Sequence, residues 1–480
     1  MRKPTLAIFG LLLVCTLVLY GCVGGSNMNL TPQTGSMVSV TMTDTPPAGV
    51  TVLSFQVSVT GATLSPGNVD LLAGKGPREI EVAQLETESA FLNTTRVPPG
   101  TFTSLNLTFA NPQLTFKNDT GTTLAGCAPG AVCEIHPMGT LSSTVNFASP
   151  GLVISASPSG SMDSMEGDDE RTATGIQVDI NPNVILSAAL GVDFSQTGAV
   201  TAQQLVTEQE GELDEVDDLR GAVQNLSATA MTFTLHTLNG DFSITTNGNT
   251  EFEFENCTAN NFSCLQNNQV VRVDAMMMPG GIFLARRIGF EDNQEDDEVE
   301  GVVFKIDDAT HFEMVVLDEL RSINNVNVGN PIMVTLSNPT FQVQEEELSV
   351  SGSFAAAFDS ATDTSQLLPG QDVEIRLTAP ASQGTPITVT ANRVRLRMTQ
   401  FTANVSGTAA PPNFTVNSLP SLFTTAGITS IQVQTSDKTD FHGVSGVSDL
   451  ADGNTVSLRG LLFNNGVNPP VLVAKKVRKR

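Results

Sequence analysis

Tryptophan is absent from the 480 residues, and tyrosine occurs once, at Tyr20. Sites that grip sugars or single-stranded nucleic acid usually stack them on aromatic platforms, so both classes lose their usual tool. Charge is scarce too. Charged residues make up 15%, against roughly 25% in ordinary globular domains. They are also lopsided, with 24 Lys and Arg against 50 Asp and Glu and a net charge of −26. No basic footprint for nucleic acid exists at that balance. The four histidines, His136, His236, His311 and His442, never fall at the paired spacing of a zinc hydrolase. No Gly-x-Ser-x-Gly elbow joins a strand to a helix. No cofactor is expected. Thr, Ser, Asn and Gln take the place of the missing charge. That mixture favours strands and turns over surface helices.

One long apolar run exists, and it lies at the start. Arg2 and Lys3 precede residues 7–20, which are almost wholly apolar. A run of about 14 residues is too short to span a bilayer comfortably and fits the core of a signal peptide. It ends in Leu19-Tyr20-Gly21-Cys22, which resembles the bacterial lipobox. The resemblance implies cleavage before Cys22 and lipidation of that residue. Residues 1–21 are then a signal peptide, and the Gly-, Ser- and Asn-rich residues 22–36 a flexible tether. Val23 is not the Asp that often marks inner-membrane retention, which favours the outer membrane, on its periplasmic or surface face.

Cys15 leaves with the signal and Cys22 takes the lipid. Four cysteines remain in two local pairs, Cys127 with Cys133 and Cys257 with Cys264. In an oxidising compartment two small-loop disulfides are expected.

Residues 37–205 alternate with period two, as in Val38-Ser-Val-Thr-Met and Val52-Leu-Ser-Phe-Gln-Val-Ser-Val-Thr. Pro and Gly clusters bound these runs, and the pattern predicts an antiparallel β-sandwich. The strand entering Thr43-Asp44-Thr45-Pro46, residues 55–64 and residues 97–107 together resemble a bacterial lipoprotein domain, domain of unknown function 4382. The resemblance covers about a third of the chain and implies no activity.

After an acidic linker, 206–219, one order of features recurs three times, predicting small β-barrels at 220–292, 293–401 and 402–480. Each opens with a Gly-centred strand: Arg220-Gly-Ala-Val, Glu300-Gly-Val-Val and Ser406-Gly-Thr-Ala. A Phe-bearing strand follows, then Thr with Phe close behind, at Thr250, Thr340 and Thr439. Next comes a turn and an alternating strand, starting at Asn268, Gly370 and Gly453. A basic strand opened by Ala285, Ala391 or Ala474 closes each copy. Units this size can bury a core, and five or six strands with Gly kinks suit a closed barrel of the oligonucleotide/oligosaccharide-binding (OB) type. They resemble domain of unknown function 5666. The middle copy carries an insertion between about residues 344 and 368. The fold class is therefore all-β, a sandwich followed by three OB-like barrels.

Few constellations suggest chemistry. Glu291, Asp292, Glu295, Asp296, Asp297 and Glu298 are weak Ca²⁺ candidates without the Asp-x-Asp-x-Asp-Gly pattern of a calcium loop, and they read better as a solvated linker. Consecutive Met276, Met277 and Met278 would alternate between strand faces and cannot converge on a metal. The expectation is a non-catalytic, lipid-anchored envelope binding or scaffold protein. Its partners would be the membrane, through the lipid, and an envelope protein or polysaccharide. A polysaccharide-binding adhesin and a hydrolase with dispersed carboxylates are the alternatives. Cys22→Ala should move the protein from the membrane to the soluble fraction of lysed cells. A variant that still sediments with membranes would refute the anchor.

Overall fold

The computed structural model describes residues 36–44, 50–74, 76–82, 90–155, 174–206, 215–237, 240–254, 257–278, 282–290, 298–319, 326–343, 348, 350–382, 384, 386–464, 466 and 469–480. The signal segment, Cys22 and most of the tether lie outside them. The chain is all-β, with a two-sheet domain followed by three OB-like barrels.

One sheet of the sandwich orders Val200–Val206, Thr174–Ile180, Ser36–Asp44 and Ala90–Val97. The other is built on two long strands, Thr51–Ser65 and Ser104–Lys117, which pair antiparallel. Their alternating residues, including Phe55, Leu105 and Phe116, meet Ile176 and Val178 of the first sheet in one core. The expected antiparallel pattern fails at two places: the short pair Gly139–Thr140 and Val192–Asp193 is parallel, and Ser36–Asp44 runs parallel to Thr174–Ile180. Parallel neighbours need a long crossover, and the whole sequence between these two strands supplies it.

Each barrel has five strands joined in the order 1-2-3-5-4 and closed from 4 back to 1. In barrel 2 they are Glu298–Ile306, His311–Glu319, Pro331–Val343, Asp372–Leu377 and Ile387–Leu396. Barrels 1 and 3 break the third strand in two, as Gly240–Thr245 with Glu251–Glu253 and Ile431–Gln434 with Asp440–His442. Both halves pair parallel to the fifth strand, Ile282–Phe290 or Val471–Lys479. Fourth strands are Val270–Met278 and Thr455–Phe463.

The recurring residues have identifiable work. Thr250 Oγ1 donates to the Ala285 carbonyl at 2.7 Å, and Thr439 Oγ1 to that of Ala474 at 2.8 Å. The same hydroxyls accept from the amides of Asn247 and Ser436. They therefore tie the break in the third strand to a bulge in the fifth. These alanines lie inside the last strand, beside its register shift, rather than at its start. Before the fourth strand, Asn268, Gly370 and Gly453 all have positive φ. Their amides donate to the carbonyls of Val223, Val303 and Val405 on the first strand. The next side chain, Gln269, Gln371 or Asn454, accepts from the amide three residues back. A 3₁₀ turn just upstream places a buried Leu, at 265, 367 or 450, beneath each barrel. The insertion of barrel 2 contributes the helix Gly352–Asp359.

Equivalent hydrogen bonds fix the true register and correct one expectation. Gly221 and Gly301 match, since a Cβ there would lie 2.4 Å from the His236 oxygen and 2.1 Å from the Val315 oxygen. In barrel 3 their counterpart is Ala403, two residues before Val405. Gly407 lies four positions on, at a positive-φ irregularity. First strands also begin earlier than their Gly motifs suggest. Glu215–Ser227 starts inside the stretch read as linker, 206–219, and Met398–Ala410 starts before 402.

Thr439→Val should lower the stability of barrel 3 by about 1–3 kcal/mol, because it strands a buried amide and carbonyl. Thr439→Ser should cost clearly less in the same denaturation experiment. Equal losses would show that the hydroxyl's bonds contribute no more than the methyl group that Ser lacks.

Candidate ligand-binding cleft

A cleft of about 1350 Å³ opens where the sandwich, barrel 2 and barrel 3 meet. The sandwich supplies the end of Ser104–Lys117, with Asn118, Asp119 and the disulfide-bonded strand Val132–Ile135. Barrel 2 supplies Phe304, Lys305, Ile306, Glu313 and Ile387. Barrel 3 supplies Leu422, Thr425 and Ala426, at the helix Ser421–Thr425 between its second and third strands. Sites of this kind favour domain junctions.

The walls are fastened across the junction. Leu53, Phe304, Val315 and Leu422 form one buried apolar cluster from all three domains. Gln113 Nε2 donates to the Val328 carbonyl at 3.0 Å, and Asn330 Nδ2 to Glu134 Oε2 at 2.7 Å. Gly329, at φ +88°, lets the barrel 2 turn approach this closely, since a Cβ would sit 2.5 Å from Gln113 Nε2. Thr51 and Ser421 lie side by side, and both hydroxyls donate to Asp119 Oδ2. Burial acts to raise the Asp119 pKa, yet the bonds from Thr51 and Ser421 and the charge of Lys117 hold it below the usual carboxylate range.

The lining mixes apolar side chains with both signs of charge. Lys117 lies 3.5 Å from Asp119, and Lys305 bridges Asp307 and Glu313 at 2.6 Å each. Hydrogen bonds donated to both carboxylates raise the Lys305 pKa, so it stays charged. Cys133 is held in its disulfide with Cys127. Each carboxylate of the lining is engaged by neighbours, and no hydroxyl there is paired with a histidine. Such a surface can hold an amphipathic ligand through hydrogen bonds and burial.

The residues singled out by sequence fall elsewhere. Cys257 and Cys264 are bonded in barrel 1, beside its 3₁₀ turn. His236 pairs with Asp241, His311 with Asp308, and His136 approaches Glu134. Among the described residues no three His, Cys, Asp or Glu side chains gather as metal ligands. Glu291, Asp292, Glu295, Asp296 and Asp297 lie outside the described residues. Glu298 is not linker but the first residue of a barrel 2 strand, 1% exposed and bonded to Arg393.

Glu298 belongs to a second constellation, a charged seam between barrels 1 and 2. Arg220 of barrel 1 reaches Asp318 and Glu374 of barrel 2 at 3.2 Å each, and Glu300 at 3.5 Å. Arg395 meets Glu374 at 2.8 Å, and Arg397 meets Glu300 at 3.1 Å. Glu374 is fully buried. Burial pushes the Glu300 carboxyl well above its usual range, against the pull of Arg220 and Arg272. A raised folded-state pKa adds stability that is complete below the unfolded value, about 4.3, and is lost as pH rises through the folded value. Glu300→Gln lacks that loss. Its melting temperature should therefore gain on the wild type as pH rises from about 4.3, whereas parallel profiles would contradict the assignment.

Residues 220–289, within barrel 1, match the family described as Domain of unknown function (DUF5666). No curated protein matches the chain. Among solved structures, drosophila Unr CSD456 aligns over 55% of this chain and 97% of its own, at 9% identity and a TM-score of 0.13. A likeness that low carries no argument here.

Proposed function

We propose that this is an exported, lipid-anchored bacterial envelope protein that binds its ligand without transforming it, in the cleft between the sandwich, barrel 2 and barrel 3. The observation carrying this reading is the cleft itself. It is large, of mixed polarity, and built from three domains, with its carboxylates committed to hydrogen bonds and its cysteine to a disulfide. The lipobox at Leu19-Tyr20-Gly21-Cys22 and the resemblance of residues 37–205 to the lipoprotein domain 4382 support export and anchoring, with the outer membrane as the site.

A photo-crosslinking amino acid placed at Ile387, inside the cleft, tests this in intact cells. It should give a discrete adduct, and the same probe at exposed Asp437 should not. Identical patterns at both positions, or none from the cleft, would count against a binding role.

A further inference from the structure

Arginine is rarely buried unless it is paired, and Arg78 of the sandwich is 6% exposed. It opens the strand Arg78–Glu81, which pairs antiparallel with Thr51–Ser65. Arg78 lies opposite Val59 and shares its sheet face with Ile80, and both neighbours belong to the sandwich core. The side chain therefore points inward. It crosses to the other sheet, where Nε donates to the Leu92 carbonyl at 3.0 Å. Its guanidinium carbon then lies 5.7 Å from the centre of the Phe242 ring, in barrel 1. The charge is thus carried to the junction of the sandwich with barrel 1.

The N–H groups on Nη1 and Nη2 remain. Among the described residues they have no hydrogen-bond partner and no carboxylate within ion-pair reach. Neither nitrogen is among the unsatisfied polar atoms sealed from solvent, so a small solute can reach them. Acids on neighbouring elements are turned to other work. Glu81 accepts from the Ser54 hydroxyl and the Phe55 amide. Asp70 accepts from the amides of Leu72 and Gly74. Glu79 takes the opposite, exposed face of the strand. Burial lowers the Arg78 pKa and no carboxylate acts to raise it again, yet an arginine keeps its proton even so.

We propose that Arg78 anchors a small ligand bearing a single carboxylate, at the junction of the sandwich and barrel 1. Charge balance is the argument. A buried cation is costly unless an anion and hydrogen bonds surround it. The Leu92 carbonyl and the face of Phe242 compensate it in part. The paired Nη edge, which matches a carboxylate with two parallel hydrogen bonds, stays unused. One positive charge among apolar neighbours is balanced by one negative charge. A phosphate dianion would leave an unbalanced charge in the same surroundings, where charges are poorly screened. The Phe242 ring beside the guanidinium suits a short apolar tail on the carboxylate. Neither Arg78 nor Phe242 lines the cleft, so this site stands whether or not the cleft binds.

The test is calorimetric titration of the full chain in mild detergent, with butyrate as probe and inorganic phosphate as comparison at constant ionic strength. Butyrate should bind saturably at one site, and phosphate at least tenfold more weakly. Arg78→Gln should abolish butyrate binding. Its melting temperature in chloride buffer should hold or rise, because the uncompensated buried charge is gone. Arg78→Lys keeps the charge but loses the planar fork, so it should fold as the wild type does and bind butyrate at least tenfold more weakly. Absent butyrate binding by the wild type, or undiminished binding by either variant, would overturn the proposal. A lower melting temperature for Arg78→Gln, with no butyrate binding by the wild type, would make Arg78 a pin between the two domains instead. Phosphate binding as tight as that of butyrate would overturn the choice of a carboxylate.

Discussion

The buried seam between barrels 1 and 2 is the constraint on which the arrangement of this chain most depends. Removing a carboxylate from water is costly, and the cost is met only when opposite charge and hydrogen bonds surround it. Glu374 is fully buried and Glu298 nearly so, which makes the row of Arg393, Arg395 and Arg397 a requirement. Arg220 completes the row from the neighbouring barrel. A charged side chain supplied in trans fixes barrel 1 on one face of barrel 2, a specificity that apolar contact alone would leave looser.

The same barrel is repeated with a different face on each copy while the scaffold stays constant. Scaffold chemistry is local: a left-handed residue before strand 4, a Thr hydroxyl bonding to a bulge in strand 5, and a Leu beneath the barrel. The face chemistry is long-range. Barrel 2 pairs its cations with its own glutamates and with a neighbour, whereas barrel 3 carries Gln400, Thr402 and Ser457 at the positions of those glutamates. The cleft is a further product of assembly, since its walls come from three domains and no one of them contains it.

What could be read from the sequence follows this division. The order of elements, the all-β class and the Thr, Phe and Gly landmarks were legible because each acts within a few residues of itself. The Gly motif of barrel 3 misled for a physical reason. Gly221 and Gly301 are required by a carbonyl 2.4 and 2.1 Å from where a Cβ would lie, while barrel 3 places Ala403 there and uses Gly407 for a bend. Glu298 resembled the end of an acidic linker because its partner, Arg393, lies 95 residues away. Lys117, Asp119 and Leu422 had no signature at all, as nothing near them in sequence says that they meet. The parallel pairing of the sandwich's first strand was hidden in the same way, its partner lying beyond most of the domain.

A double-mutant cycle across the seam tests the central claim most directly. Arg220→Leu, Glu374→Gln and the double variant would be compared with the wild type by equilibrium denaturation. The account predicts that the two losses are not additive, with a coupling of about 1 kcal/mol or more, because each change removes the same charge pair across the seam. Additive losses would show that barrel 1 does not depend on this charge pair for its place on barrel 2.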